Sequence, residues 1–170
     1  VAGIISARNN AYGVIGIAYY PWRFSSVRVC RDDGGCPTES IVGALDWTAT
    51  NGYSHQIVNM SLQGCQGGTG LSEAIARSAA AGNLLVSVAG NTDYGPCGSP
   101  VGSGVTFPGR YPEVRAVSGT LTDDQFADPT PAAAEGCSAG SRYGPEVDLS
   151  APFWAKSMVA NGGWDVMCGT

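Results

Sequence analysis

The chain has 170 residues, of which 14% are charged, and nine Lys and Arg against fourteen Asp and Glu leave a formal net charge of -5. Neither sign gathers into a run able to track phosphates or an anionic bilayer, so no nucleic-acid and no membrane partner is expected. Twenty-five Gly and ten Pro beside 44% hydrophobic residues exclude a disordered chain and describe one turn-rich domain over 1–170, about the size usual for a single folding unit.

The opening run Val1 to Ala7 is apolar, but it lacks a basic start and Arg8 ends it. It is neither a signal peptide nor a membrane span. Thr38 to Asn51 follows Pro37, sets Ile41, Leu45 and Trp47 near helical spacing and stops at Asn51-Gly52, which predicts a helix. Ile57-Val58-Asn59-Met60 is short, apolar and β-branched, the pattern of a buried strand. Leu71 to Ala81 is Ala-rich with Gly82 as its cap, a second helix leading into a second buried strand, Leu84 to Val88. Val114 to Thr120 and Val147-Asp148-Leu149 are further strands. Helices alternating with short apolar strands predict an α/β fold, a mostly parallel sheet covered by helices, with no repeat and no second domain.

In such sheets ligands bind beyond the carboxyl ends of the strands. That directs attention to Asn59 to Gly64, to Val88-Ala89-Gly90-Asn91 and to Cys168-Gly169-Thr170. Six cysteines, Cys30, Cys36, Cys65, Cys97, Cys137 and Cys168, form an even set with no C-x-x-C pair and a single His, so disulfides in an oxidising, extracellular compartment are expected rather than zinc. Six allow fifteen pairings, and the spacing chooses none of them.

The strand-end segments resemble those of the subtilisin-like serine proteases. Asn59-Met60-Ser61-Leu62-Gln63 is similar to that family's Asn-Met-Ser-Leu-Gly block, Val88-Ala89-Gly90-Asn91 to its Ala-Ala-Gly-Asn block, and Gly169-Thr170 to the start of Gly-Thr-Ser-Met-Ala. Val1-Ala2-Gly3 resembles the residues behind the family's His-Gly-Thr-His block. Ser141-Arg142-Tyr143-Gly144-Pro145-Glu146-Val147-Asp148-Leu149-Ser150-Ala151-Pro152 resembles its Ser-Tyr-Gly-Pro-Glu-Val-Asp-Leu-Ser-Ala-Pro segment. The blocks run collinearly from one end of the chain to the other. The resemblance implies a three-layer fold, here a partial domain cut at both ends. It places the catalytic Asp and His upstream of Val1 and the nucleophilic Ser directly after Thr170. A core segment of a secreted endopeptidase, inactive over these 170 residues, is therefore expected. The alternative is a non-catalytic peptide-binding or interaction module on the same fold.

The resemblance also implies roles. Asn91 is the oxyanion donor, a side-chain amide held after a buried strand. Ser61-Leu62-Gln63 and, on the opposite side, the strand Gly34-Gly35-Cys36 pair with an extended peptide or protein substrate through main chain. Val88, Ala89 and Gly90 floor the pocket for the side chain preceding the scissile bond. Gln63 and Cys36 stand where the family commonly has Gly, and side chains there are expected to narrow the cleft. No cofactor is required. Arg8, Asn10, Tyr12 and Val14 match a calcium loop by position, with carbonyls from three and a side chain from Asn10, but neutral donors and a partial shell predict a weak or empty site. The implied disulfides are Cys30–Cys36, Cys65–Cys97 and Cys137–Cys168. The family's central helix would begin at the Ser, so its absence is expected to expose apolar surface and to favour self-association.

Other polar groups read as structural. His55 lies in the polar turn before a strand, Asp32-Asp33 and Asp123-Asp124 are turn formers, and Gly64 to Gly70 lacks the Gly-Lys-Ser/Thr of a phosphate loop. Asn59-Met60-Ser61 is a glycosylation sequon at a buried strand end, where no glycan is expected.

Overall fold

The computed structural model describes residues 1–19, 23–51, 55–93, 97, 104–134, 136–159 and 162–170. Residues 52–54 of the turn that leads to His55 lie outside the described residues.

After a short helix α1 (Ala2–Ser6), helix α2 (Thr38–Asn51) begins behind Pro37, whose carbonyl accepts from Ser40 and Ile41 N–H. α2 buries Ile41 and Leu45, one turn apart, whereas Trp47, expected beside them, is 42% exposed because it lies off that face. Helix α3 (Thr69–Ala80) buries Leu71, Ala74, Ile75 and Ser78, an i, i+3, i+4, i+7 stripe. The small residues let the two helices approach, and polar contacts fix their register. Thr48 Oγ1 lies 3.0 Å from Ser78 Oγ, and Asn83 Nδ2 donates to Ser78 Oγ and Thr48 O. Gly82, at φ +88°, lets the chain leave α3, and its N–H donates to Ala79 O.

Strands β1 (Ile57–Met60), β2 (Leu84–Val88), β3 (Val114–Thr120) and β4 (Val147–Pro152) form one sheet in chain order, every pair parallel. α3 connects β1 to β2, and α4 (Pro129–Ala134) lies between β3 and β4. This is the expected α/β architecture, a parallel sheet flanked by helices. Ile41, Leu45, Leu71, Ala74 and Ile75 from the helices and Met60, Leu85 and Val114 from the strands make the main core. A hairpin follows, β5 (Trp154–Met158) antiparallel to β6 (Trp164–Cys168). A second core cluster joins Leu121, Ala127, Ala132 and Cys137 to Phe153 at the base of that hairpin.

The other sheet face is exposed at several apolar positions among the described residues. The register pairs Ile57 with Leu84, Val86 with Arg115 and Val117 with Leu149, and alternation sets these on the side away from the main core. Ile57 is 72%, Leu84 47% and Leu149 61% exposed. β1 is thus not the buried strand that its apolar run predicted. Only Val58 and Met60 face the helices. Asn59 is likewise exposed, and its Nδ2 donates to Ser61 Oγ at 2.9 Å. Among the described residues no helix is long and apolar enough to cross a membrane.

Candidate active site

β2 carries Val88 to the carboxyl edge of the sheet, where Ala89 N–H donates to Val117 O before the chain turns at Gly90. Gly90 has φ +108°, and a Cβ there would stand 2.6 Å from Thr106 Oγ1 and 2.9 Å from Gln63 Oε1. Both the conformation and the space demand glycine. The next residue, Asn91, is half-buried and bonded on every side but one. Its N–H donates to Gln63 Oε1 at 2.7 Å, and its carbonyl accepts from Arg142 Nε at 3.1 Å. Its Oδ1 accepts from Thr170 N–H at 3.0 Å and Thr170 Oγ1 at 3.1 Å. Nδ2 donates to none of the described residues and lies beside Gly169.

Two further segments close this corner. Arg142 N–H donates to Gly90 O, and Ser141 bridges Asn91 in antiparallel fashion, so residues 140–142 run beside 90–92. From below, β6 brings Gly169 and Thr170, with Gly169 N–H on Phe153 O and Thr170 Oγ1 accepting from Gly90 N–H. The Cys137–Cys168 disulfide ties this end of the chain to the loop after α4. The result is a small cleft of about 110 Å³ lined by Ser61, Leu62, Gln63, Val88, Asn91 and Thr170.

Its chemistry is that of amides and hydroxyls. None of the six lining residues is ionisable, so the cleft offers donors to an anionic or carbonyl oxygen but no general base that could activate the Thr170 hydroxyl. Ser61 to Gln63 continue from the carboxyl end of β1 and form one side of the cleft. His55 is exposed before the opposite, amino end of β1. The carboxylate pairs are turn formers, as expected: Asp33 Oδ1 accepts from Gly35 N–H, Asp32 pairs with Arg28, and Asp123 Oδ1 accepts from Gln125 N–H. Gly64 to Gly68 is a loop held against Phe107 and Tyr111, with Gly68 N–H on Tyr111 Oη, while Thr69 and Gly70, expected in the same loop, already belong to α3.

Ser61, Leu62, Gln63, Val88 and Asn91 of the expected site are thus brought together, with Ala89 and Gly90 buried directly beneath. Gly34, Gly35 and Cys36 are not. They form a tight turn rather than a strand, with Gly34 N–H on Arg31 O, Arg31 N–H on Gly35 O, and the Cys30–Cys36 disulfide across its base. The Asp33 side chain and the disulfide close the segment on itself, and Cys36 packs against the main core. The other two disulfides are Cys65–Cys97 and Cys137–Cys168, the pairing the resemblance implied.

At Arg8 to Val14 the chain makes a locally satisfied turn. Arg8 O accepts from Asn10 N–H and Asn10 Oδ1 from Tyr12 N–H, and Asn10 and Tyr12 are exposed. Two of the four candidate oxygens, Arg8 O and Asn10 Oδ1, thus each accept one backbone hydrogen bond within the loop. Among the described residues, no group of three or more His, Cys, Asp or Glu could hold a metal ion.

Two contributors escaped the sequence reading. Arg142 is fully buried. The one available signal was that it interrupts a block that otherwise reads Ser-Tyr-Gly-Pro. Thr170 was expected only to precede the reacting residue, yet it also holds the Asn91 side chain.

No protein-family model matches the chain. Among curated proteins it is similar to the "Thermostable alkaline protease" of Halalkalibacterium halodurans, 35% identical over 152 residues that make 89% of this chain and 36% of that protein. It is 32% identical to "Alkaline elastase YaB" of a Bacillus species, over 100% of this chain and 39% of that protein. The chain therefore spans less than half the length of the curated relatives it matches. Among solved structures, a cold adapted subtilisin-like serine proteinase superposes with a TM-score of 0.66 at 28% identity, over 84% of this chain and 45% of that one. The psychrophilic subtilisin-like protease Apa1 from the Antarctic psychrotroph Pseudoalteromonas sp. AS-11 gives 0.68 at 27% identity, over 92% of this chain and 32% of that one. The collinear blocks, the parallel sheet and these likenesses agree: over the segment it covers, the chain belongs to the subtilisin-like serine protease family.

Proposed function

We propose that the chain is the core segment of a secreted subtilisin-like serine endopeptidase, supplying the oxyanion donor Asn91 and one wall of the substrate groove, Ser61 to Gln63, while a Ser directly after Thr170 supplies the nucleophile. The observation that carries this reading is the contact between Asn91 Oδ1 and Thr170, which sets the free Nδ2 beside the place where the next residue would emerge. A tetrahedral intermediate on that Ser would hold its oxyanion within reach of Nδ2, and a donor already fixed in place needs no reorganisation as the charge develops. The peptide substrate would pair with the main chain of Ser61 to Gln63, with Val88, Ala89 and Gly90 beneath the side chain that precedes the scissile bond. The reaction needs no cofactor, and any calcium at Arg8 to Val14 is weakly held.

By themselves the 170 residues hold a donor and a groove without base or nucleophile, so in this reading they do not hydrolyse peptides. They also self-associate through the exposed sheet face. Asn91→Ala in the intact protease tests the assignment. The expected result is a fall in kcat of about 10²–10³, the range established for subtilisin's own oxyanion Asn, with little change in KM. An unchanged kcat would overturn it.

A further inference from the structure

Asn91 has four polar atoms, and three are occupied. The Thr170 contacts hold the side-chain oxygen; the other two atoms belong to the backbone and are held by side chains from elsewhere in the chain. Gln63 Oε1 takes the N–H at 2.7 Å across 28 residues of sequence, and Arg142 Nε supplies the carbonyl at 3.1 Å across 51. Arg142 is fully buried, an expensive place for a guanidinium unless its hydrogen bonds are used. It grips the corner twice, since its own N–H donates to Gly90 O at 2.7 Å. Gln63 reaches Asn91 only because Gly90 has no side chain to block Oε1.

We propose that Gln63 and Arg142 are positioning residues that clamp the Asn91 peptide from both sides, so that Nδ2 is aimed at the oxyanion before substrate arrives. The inference rests on the assignment of Asn91 as oxyanion donor. It gives the departure at Gln63 a role different from narrowing the cleft: the side chain turns along the floor to the donor. Substrate pairs with residue 63 through main chain, so removing the side-chain acceptor chiefly frees the backbone at 91 and the loss falls on kcat rather than on KM.

The test is a double-mutant cycle in the intact protease carrying this segment. Gln63→Met keeps length and loses the acceptor, and Gln63→Ala serves if Met disturbs the loop. The clamp predicts that Met or Ala lowers kcat roughly five- to tenfold at constant KM, the scale of one hydrogen bond. In an Asn91→Ala background the change at 63 should have no further effect. Equal losses in both backgrounds, a change confined to KM, or no loss at all would overturn the clamp while leaving Asn91 as donor. If Asn91→Ala alone leaves kcat unchanged, the donor assignment falls and the clamp with it.

Discussion

At Gly90 a single missing methyl group permits three things together: a φ of +108°, the Thr106 packing below and the Gln63 bond above. Gly90→Ala therefore meets both backbone strain and overlap, and should cost about 2–4 kcal/mol, read as a lower denaturation midpoint at unchanged m-value. Asp148 is a contrasting residue, remote from the cleft. The N–H of Ala116, followed by the Arg115 guanidinium at 2.8 Å, holds its carboxyl below the ordinary value of 3.8. A depressed folded-state pKa contributes stability that is present above the unfolded value and lost as the pH falls through the folded one. Asp148→Asn should thus destabilise by about 1 kcal/mol at pH 7, the pair being partly exposed. In chemical unfolding measured across pH, that deficit should shrink below pH 3.8. Asn91 was legible in the sequence through the resemblance of Val88-Ala89-Gly90-Asn91, after a buried strand, to the family's Ala-Ala-Gly-Asn block. Its hydrogen-bond partners were not, since Gln63, Arg142 and Thr170 reach it through tertiary contacts that no local pattern encodes.

Among the elements, α2, α3 and β1 to β4 were readable because Pro37 and Gly82 punctuate the helices and the strands begin as short apolar runs. Burial was not: the register that turns Ile57 and Leu84 away from the helices is set by alternation, and a run apolar on both sides hides it. The hairpin β5–β6 was missed because its residues are mostly exposed and mixed, with Lys156 stacked on Trp164 rather than a continuous apolar run. What anchors the hairpin is Cys137–Cys168, which closes 31 residues against 6 for Cys30–Cys36. On chain-entropy grounds Cys137→Ser with Cys168→Ser should cost roughly 1.5 kcal/mol more than the Cys30, Cys36 pair replaced likewise. Thermal unfolding of the two double variants checks the order. The longer loop should also release Thr170 from Asn91, visible as faster amide exchange at Thr170.

For the whole molecule the exposed sheet face dominates. A parallel sheet normally has both faces covered, and here Ile57, Leu84 and Leu149 stand in water on one of them. A patch on the order of several hundred Å² should drive association of the isolated chain. Ile57→Lys with Leu149→Lys should shift it toward monomer in sedimentation velocity without loss of fold, because both sites are exposed; an unshifted profile would locate the contact elsewhere. The central claim is that this cleft prepares an oxyanion site for a Ser that follows Thr170. It is tested most directly by fluorophosphonate labelling of the intact protease that carries the segment, with the modified residue mapped by mass spectrometry. The label should fall on a Ser joined directly to Thr170, and the 170-residue chain alone should take none; a label on any other residue, or none on the intact protein, would contradict the account.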